Sequence, residues 1–179
     1  MEVTTPGVSC IGFTAPPGAA KMSTRAIRYL KQKEILFEVV TYAHEEKGAE
    51  YAARAVGFPV ERTIKTLVVD LGQKKYAFVL MPGDRQLNLK QLAGACSVKK
   101  AAMVDAETAR RLTGYQVGGI SPFGSRQPLP VAMEESLLAF DRVLINAGQR
   151  GTMVMMSPGD IVKALDCKVS GFAIKRRKK

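Results

Sequence analysis

The chain of 179 residues has no tryptophan, a single histidine (His44) and three cysteines, Cys10, Cys96 and Cys167. Each scarcity removes a class of chemistry. One histidine cannot build a multi-histidine metal centre. Its Tyr-Ala-His-Glu setting is that of a structural or solvated side chain rather than of a Ser-His-Asp triad. The cysteines are odd in number and far apart, with no Cys-x-x-Cys pair, so neither a disulfide framework nor a zinc site is supported. A reducing, cytoplasmic setting fits, and no metal or cofactor is expected. Cys96 and Cys167 each follow a helix-like segment and read as small buried residues. No apolar run approaches the ~20 residues of a membrane-spanning helix, so no membrane partner is expected. Residues 1–20 hold proline and glycine but no basic stretch followed by an apolar core, so they do not read as a secretory signal. Residues 1–22 are expected to form a mobile leader.

Negative charge is also scarce. Asp and Glu total 16 against 27 Lys and Arg, a net charge of +11. The basic tail, residues 175–179, carries five of these charges, which leaves the body at +6. Such an excess favours a polyanionic partner, because phosphate contacts release counterions. Without an amphipathic membrane anchor, nucleic acid fits better than a lipid surface.

What remains is an ordinary globular composition, 46% hydrophobic with a mean hydropathy of −0.02, at a length that suits one domain with a sizeable core. Residues 23–34 read as a helix, with Ser23 as a cap and Ile27 and Leu30 inward, and 36–42 as a strand. A helix over 49–56 is stopped by Gly57 and Pro59. Strands over 63–71 and 76–81 form a hairpin about Gly72-Gln73-Lys74. Asn88 opens a helix to Ala95, a short strand falls in 98–103, and Asp105 caps a helix to Leu112 stopped by Gly114. Further strands are expected over 130–133, 142–146, 152–156 and 168–172. Ser157-Pro158-Gly159-Asp160 opens a last helix to Leu165. Helices and strands mix without strict βαβ order, which predicts an α+β fold with a mixed, barrel-like sheet surrounded by helices.

Two features carry chemistry. In Thr63-Ile64-Lys65-Thr66-Leu67-Val68-Val69-Asp70, period-two alternation puts Lys65 on one face with Leu67 and Val69 and Ile64, Thr66 and Val68 on the other. Both faces are apolar, so the ammonium must either snorkel to water or enter a polar pocket. The second feature is the glycine-dense stretch from Gly114 to Gly124, with Gly118-Gly119-Ile120-Ser121-Pro122 at its centre. Such a loop brings main-chain N–H groups close to a carbonyl oxygen, a ribose or a phosphate; a plain turn between strands would look the same.

These motifs recur in order with Leu112-Thr113-Gly114-Tyr115, Asn146-Ala147-Gly148-Gln149-Arg150-Gly151 and Pro158-Gly159-Asp160-Ile161. Together, over about residues 23–174, the chain resembles the YbaK family of aminoacyl-tRNA deacylases, which are related to the editing domain of bacterial prolyl-tRNA synthetases. The resemblance implies a mixed, barrel-like sheet with helices around it. It implies hydrolysis of a mischarged amino acid from the 3′ acceptor end of tRNA, tRNA(Pro) by the branch resembled, with prolyl-tRNA synthetase as a possible partner. It places the family's important lysine on Lys65, its glycine loop on Gly118, Gly119, Ile120, Ser121 and Pro122, and a tyrosine on Tyr42. The Cys-specific branch carries an acidic residue two positions after the Arg-Gly pair; here that position is Met153.

The chemistry expected is modest, since an aminoacyl ester is already activated and fixed geometry supplies much of the acceleration. N–H groups around Gly118 and Gly119 are expected to receive the developing oxyanion, while Lys65 fixes the terminal ribose or phosphate. For a cysteinyl substrate the resemblance implies attack by the substrate thiol; for alanine, water or a ribose hydroxyl would serve. Ser121 reads as a nucleophile or a turn residue, Asp160 as a site residue or a helix-start acid, Tyr42 as pocket or core. Arg150 reads as a phosphate ligand or a strand end, and Met153 as pocket wall or core. A non-catalytic tRNA-binding module of the same fold is the alternative to an enzyme.

Overall fold

In a computed structural model, which describes residues 23–46 and 48–175, five α-helices surround a large mixed sheet. Helix α1 (Arg25–Gln32) starts where the Thr24 hydroxyl accepts the Ile27 N–H, and it buries Ala26, Ile27 and Leu30. Strand β1 is Glu38–Thr41. Helix α2 (Ala49–Val56) ends as expected at Gly57, whose φ of 70° is the left-handed conformation a glycine adopts without strain. Strands β2 (Thr63–Asp70) and β3 (Tyr76–Pro82) form the expected hairpin, pairing from Ile64↔Pro82 to Asp70↔Tyr76. Strand β4 (Arg85–Leu87) precedes α3 (Leu89–Ala95), which Asn88 caps through Lys90 and Gln91 N–H. Then come β5 (Ala102–Met103), α4 (Ala106–Thr113), β6 (Val131–Glu134) and β7 (Val143–Gln149). The chain closes with β8 (Thr152–Met156), α5 (Pro158–Leu165), β9 (Lys168–Ser170) and β10 (Ala173–Lys175).

The main sheet runs β1-β8-β7-β2-β3-β6-β9, with β5 alongside β2. The β2–β7, β3–β6 and β6–β9 pairs are parallel and the rest antiparallel. The mixed α+β architecture is as expected; the barrel is not. Closure needs the two end strands to pair with a consistent stagger. Here β1 and β9 lie at opposite ends of the path and share no ladder, so the sheet is open.

Strand β2 is covered on both faces, as its composition predicts. Ile64 and Val68 enter a core with Phe78, Leu80, Leu112 and Phe123, whereas Val69 joins Val79, Met81 and Leu92 on the other side. The strand expected over 168–172 stops at Ser170. Phe172 turns away, its N–H donating to Glu134 Oε2 (2.7 Å) and its carbonyl accepting the Asn88 N–H (2.8 Å). The chain then pairs as β10 with β4, a two-stranded sheet that neither segment's pattern announces. Lys175, read with the basic tail, is the last residue of β10. Residues 1–22, with Cys10, and 176–179 lie outside the described residues. Cys96 and Cys167 are half-buried rather than buried. Burial pushes the Cys167 thiol up to about 12, and its S–H points to the Ile161 carbonyl at 3.7 Å.

Candidate active site

The sheet opens beside Lys65. Strand β2 pairs with β7 only at Thr63 and Ile64, and with β5 only at Val69 and Asp70. Between these contacts, that edge of Lys65, Thr66 and Leu67 faces no strand, and a cleft of about 310 Å³ occupies the gap. Residues 65–67 line it from β2, Asn146 from β7, Met153 from β8 and Tyr42 from the end of β1. Gly48, Ala49 and Ala52 close one side from α2, and Val117, Gly118 and Ile120 overhang it from the glycine loop.

The Lys65 side chain takes the polar-pocket alternative. Its ammonium donates to the main-chain carbonyls of Gly83, at 3.4 Å, and Arg85. Tyr42 is fixed by its N–H to the Gly151 carbonyl (3.0 Å), by an edge contact to His44 and by a tilted ring contact to Tyr51, with ring centroids 6.4 and 6.2 Å away. Burial raises its phenol above the ordinary tyrosine value, so at neutral pH this lining residue is uncharged. Met153, 1% exposed, clusters with Ala52 and Leu144 and gives the cleft an apolar wall.

The glycine loop is held from behind. The Tyr115 hydroxyl donates to the carbonyls of Phe123 (2.7 Å) and Gly124 (3.1 Å), beneath the Arg25 guanidinium at 4.5 Å. Arg150 donates Nε and Nη2 to the Val117 carbonyl at 3.0 and 2.7 Å. It therefore braces the loop, a role different from the phosphate contact considered for it. Gly118 has φ +93° and lines the cleft. Gly119 does not line it: its N–H donates to the Gln116 carbonyl at 2.9 Å, spent inside the turn rather than offered to an oxyanion. A Cβ there would lie 2.9 Å from Arg150 N and 3.0 Å from the Gln149 carbonyl carbon, so the close approach is to the β7–β8 hairpin and not to a substrate.

The cleft thus gathers Tyr42, Lys65, Gly118, Ile120 and Met153. It leaves out Ser121, which is fully buried with Oγ accepting the Phe123 N–H (3.3 Å), the turn alternative, and it leaves out the buried Pro122. Asp160 sits in the first turn of α5, where it lines a separate depression with Lys33, Glu34 and Lys163. Two cleft residues with polar side chains, Thr66 and Asn146, escape sequence reasoning. Asn146 interrupts an apolar strand, an uncommon strand residue and hence a readable signal. Thr66, 8% exposed with a buried Oγ1 that has no partner, carried no signal, because threonine is at home in strands. Among the described residues no three His, Cys, Asp or Glu side chains converge as a metal site, and no helix is long and apolar enough to cross a membrane.

Residues 44–164 match the model of the aminoacyl-tRNA editing domain. The chain belongs to that family. It is 29% identical over 144 residues, covering 79% of this chain and 88% of the relative, to a candidate Cys-tRNA(Pro)/Cys-tRNA(Cys) deacylase, EbsC, of Enterococcus faecalis. It is 27% identical over 153 residues, covering 83% and 90%, to the multifunctional Ser/Thr-tRNA deacylase ProXp-y of Escherichia coli strain K12. The same domain occurs within longer proline–tRNA ligases: in that of a Sulfurihydrogenibium species the match is 29% identical, spanning 90% of this chain and 27% of the ligase. A solved candidate trans-editing enzyme for prolyl-tRNA synthetase superposes with a TM-score of 0.75 at 26% identity, covering 87% of this chain and 99% of the other.

Proposed function

We propose that the protein is a trans-editing aminoacyl-tRNA deacylase that removes a small mischarged amino acid, cysteine ahead of alanine, from tRNA(Pro) in the cytoplasm. The observation that carries this is the cleft itself. Lys65, Tyr42 with its phenol kept neutral by burial, and Asn146 line one small chamber together with the apolar Met153. In this reading the ester carbonyl lies under Gly118, and Lys65 places positive charge beside the terminal ribose as negative charge develops on the carbonyl oxygen. The amino-acid side chain points to the apolar wall, which suits a thiol or methyl group. Among the described residues the cleft pairs no protein nucleophile with a base, so the attacking group in this reading belongs to the substrate or to water: the cysteinyl thiol, which closes on the ester carbonyl as the ribose oxygen leaves and takes up the proton, or a water for alanine, which releases free alanine and the ribose hydroxyl. Prolyl-tRNA synthetase is the partner the longer relatives suggest. Incubation with a panel of aminoacyl-tRNAs, following ester loss, tests the proposal. Binding of tRNA without ester loss from any of them would make the protein a tRNA-binding module.

In competition on one tRNA, cysteinyl and alanyl esters should be cleaved faster than prolyl, with phenylalanyl spared. Shortening the wall by Met153→Ala should raise the prolyl-to-cysteinyl rate ratio about tenfold, the usual worth of a methylene-sized change in an apolar pocket. An unchanged ratio would place the selecting surface elsewhere.

Affinity for tRNA should fall steeply with salt. Deleting residues 176–179, which removes four positive charges beyond β10, should weaken binding without changing amino-acid preference. Filter binding at two salt concentrations, with the competition assay beside it, checks both parts.

A further inference from the structure

The Lys65 ammonium is received by a turn, and that turn is built to stay where it is. It links β3 to β4 and offers the carbonyls of Gly83 and Arg85 to Nζ. On one side the Gly83 N–H donates to the Val60 carbonyl at 3.2 Å. On the other, Arg85 is in register with Lys175 in the β4–β10 ladder. The fit at Gly83 leaves no room for a side chain. A Cβ there would lie 2.8 Å from the Val60 carbonyl oxygen, 2.9 Å from Val60 Cγ2 and 3.1 Å from the Thr63 carbonyl oxygen. Gly83 is not among the glycines with positive φ, so space rather than backbone conformation demands glycine here. Thr63 lies two residues before Lys65 on β2. The turn is therefore pressed against the strand that carries the lysine.

We propose that Gly83 is a positioning residue: its missing Cβ seats the 83–85 turn against Val60 and Thr63, so that two carbonyl dipoles fix the ammonium of Lys65, a residue of the cleft lining. An ammonium is a donor-only cation, and these two carbonyl oxygens accept from it without themselves carrying a neutralising charge. A Cβ at position 83 lifts the turn and carries its two carbonyls away from Nζ. The catalytic consequence rests on the function proposed above; the geometric one does not.

The test is Gly83→Ala, measured in single turnover with the aminoacyl-tRNA cleaved fastest by the wild type. A displacement of this kind should lower kcat about 10²-fold, with KM changed less than about threefold because ground-state binding is untouched. Since the glycine acts through the lysine, adding Lys65→Ala to Gly83→Ala should cost no more than about twofold beyond Lys65→Ala alone. Losses that multiply would show an independent structural effect and overturn the proposal. A second measurement needs neither activity nor a folded Gly83→Ala variant. In ¹⁵N-labelled wild-type protein the Lys65 ζ-ammonium signal, assigned by its loss in Lys65→Ala, should exchange slowly and couple across hydrogen bonds to the Gly83 and Arg85 carbonyl carbons. A signal exchanging as fast as those of surface lysines would overturn the hold. A wild type that cleaves no ester would refute the function and leave this measurement to judge the positioning.

Discussion

Lys65→Ala should lower deacylation by on the order of 10²–10³-fold, the loss typical of removing one preorganised electrostatic partner from a developing oxyanion. The fold should survive. Lys65 is only half-buried, on a strand that Ile64, Val68 and Val69 anchor in the two cores, and its removal strips a donor from two carbonyls at the sheet opening. That costs about 1–3 kcal/mol if the carbonyls stay dry and less if water reaches them. Lys65→Arg should not restore the rate. A planar guanidinium cannot enter a site shaped by two converging carbonyls as a compact ammonium does. Single-turnover rates, with circular dichroism and thermal melting on the same samples, separate a lost site from a lost fold. Full activity in a folded Lys65→Ala protein would remove this lysine from the mechanism and with it the proposed chemistry.

Gly119→Val should be comparably damaging for a different reason. The new side chain meets the backbone of Gln149 and Arg150 at 2.9–3.2 Å, and a hairpin backbone does not yield as a side-chain tip does. Overpacking of this kind costs about 1–3 kcal/mol. The loop lifts, taking Gly118 and Ile120 off the cleft and breaking the two bonds from Arg150 to the Val117 carbonyl. Turnover should fall about 10²-fold, as for other misplaced active-site groups, while tRNA affinity, set by phosphate contacts, changes little. A glycyl ester, the smallest substrate, should rescue nothing, because the collision is within the protein. Recovery with that ester would instead mean that position 119 faces the substrate.

Local features of the chain carried much of the architecture. The bounds of α2, β8 and α5 follow from signals within a few residues: Gly57 as a left-handed stop, the Gly151 turn, and Pro158 at a first helical position. The period of two placed Lys65 on the Leu67–Val69 face of a strand buried on both sides, and the ordered motifs identified the family. What those signals do not contain is register between distant segments. Whether β2 keeps β7 beyond Ile64 depends on residues some eighty positions apart, and the cleft exists because it does not. The same reason hid the β4–β10 pair, left the barrel unclosed, and turned Gly119 and Arg150 from substrate contacts into braces of the loop. The sequence by itself determined which residues could do chemistry, since residue type and strand period are local. Only the tertiary structure decided which of them share a cleft, because that is set by where a parallel ladder ends and what fills the gap.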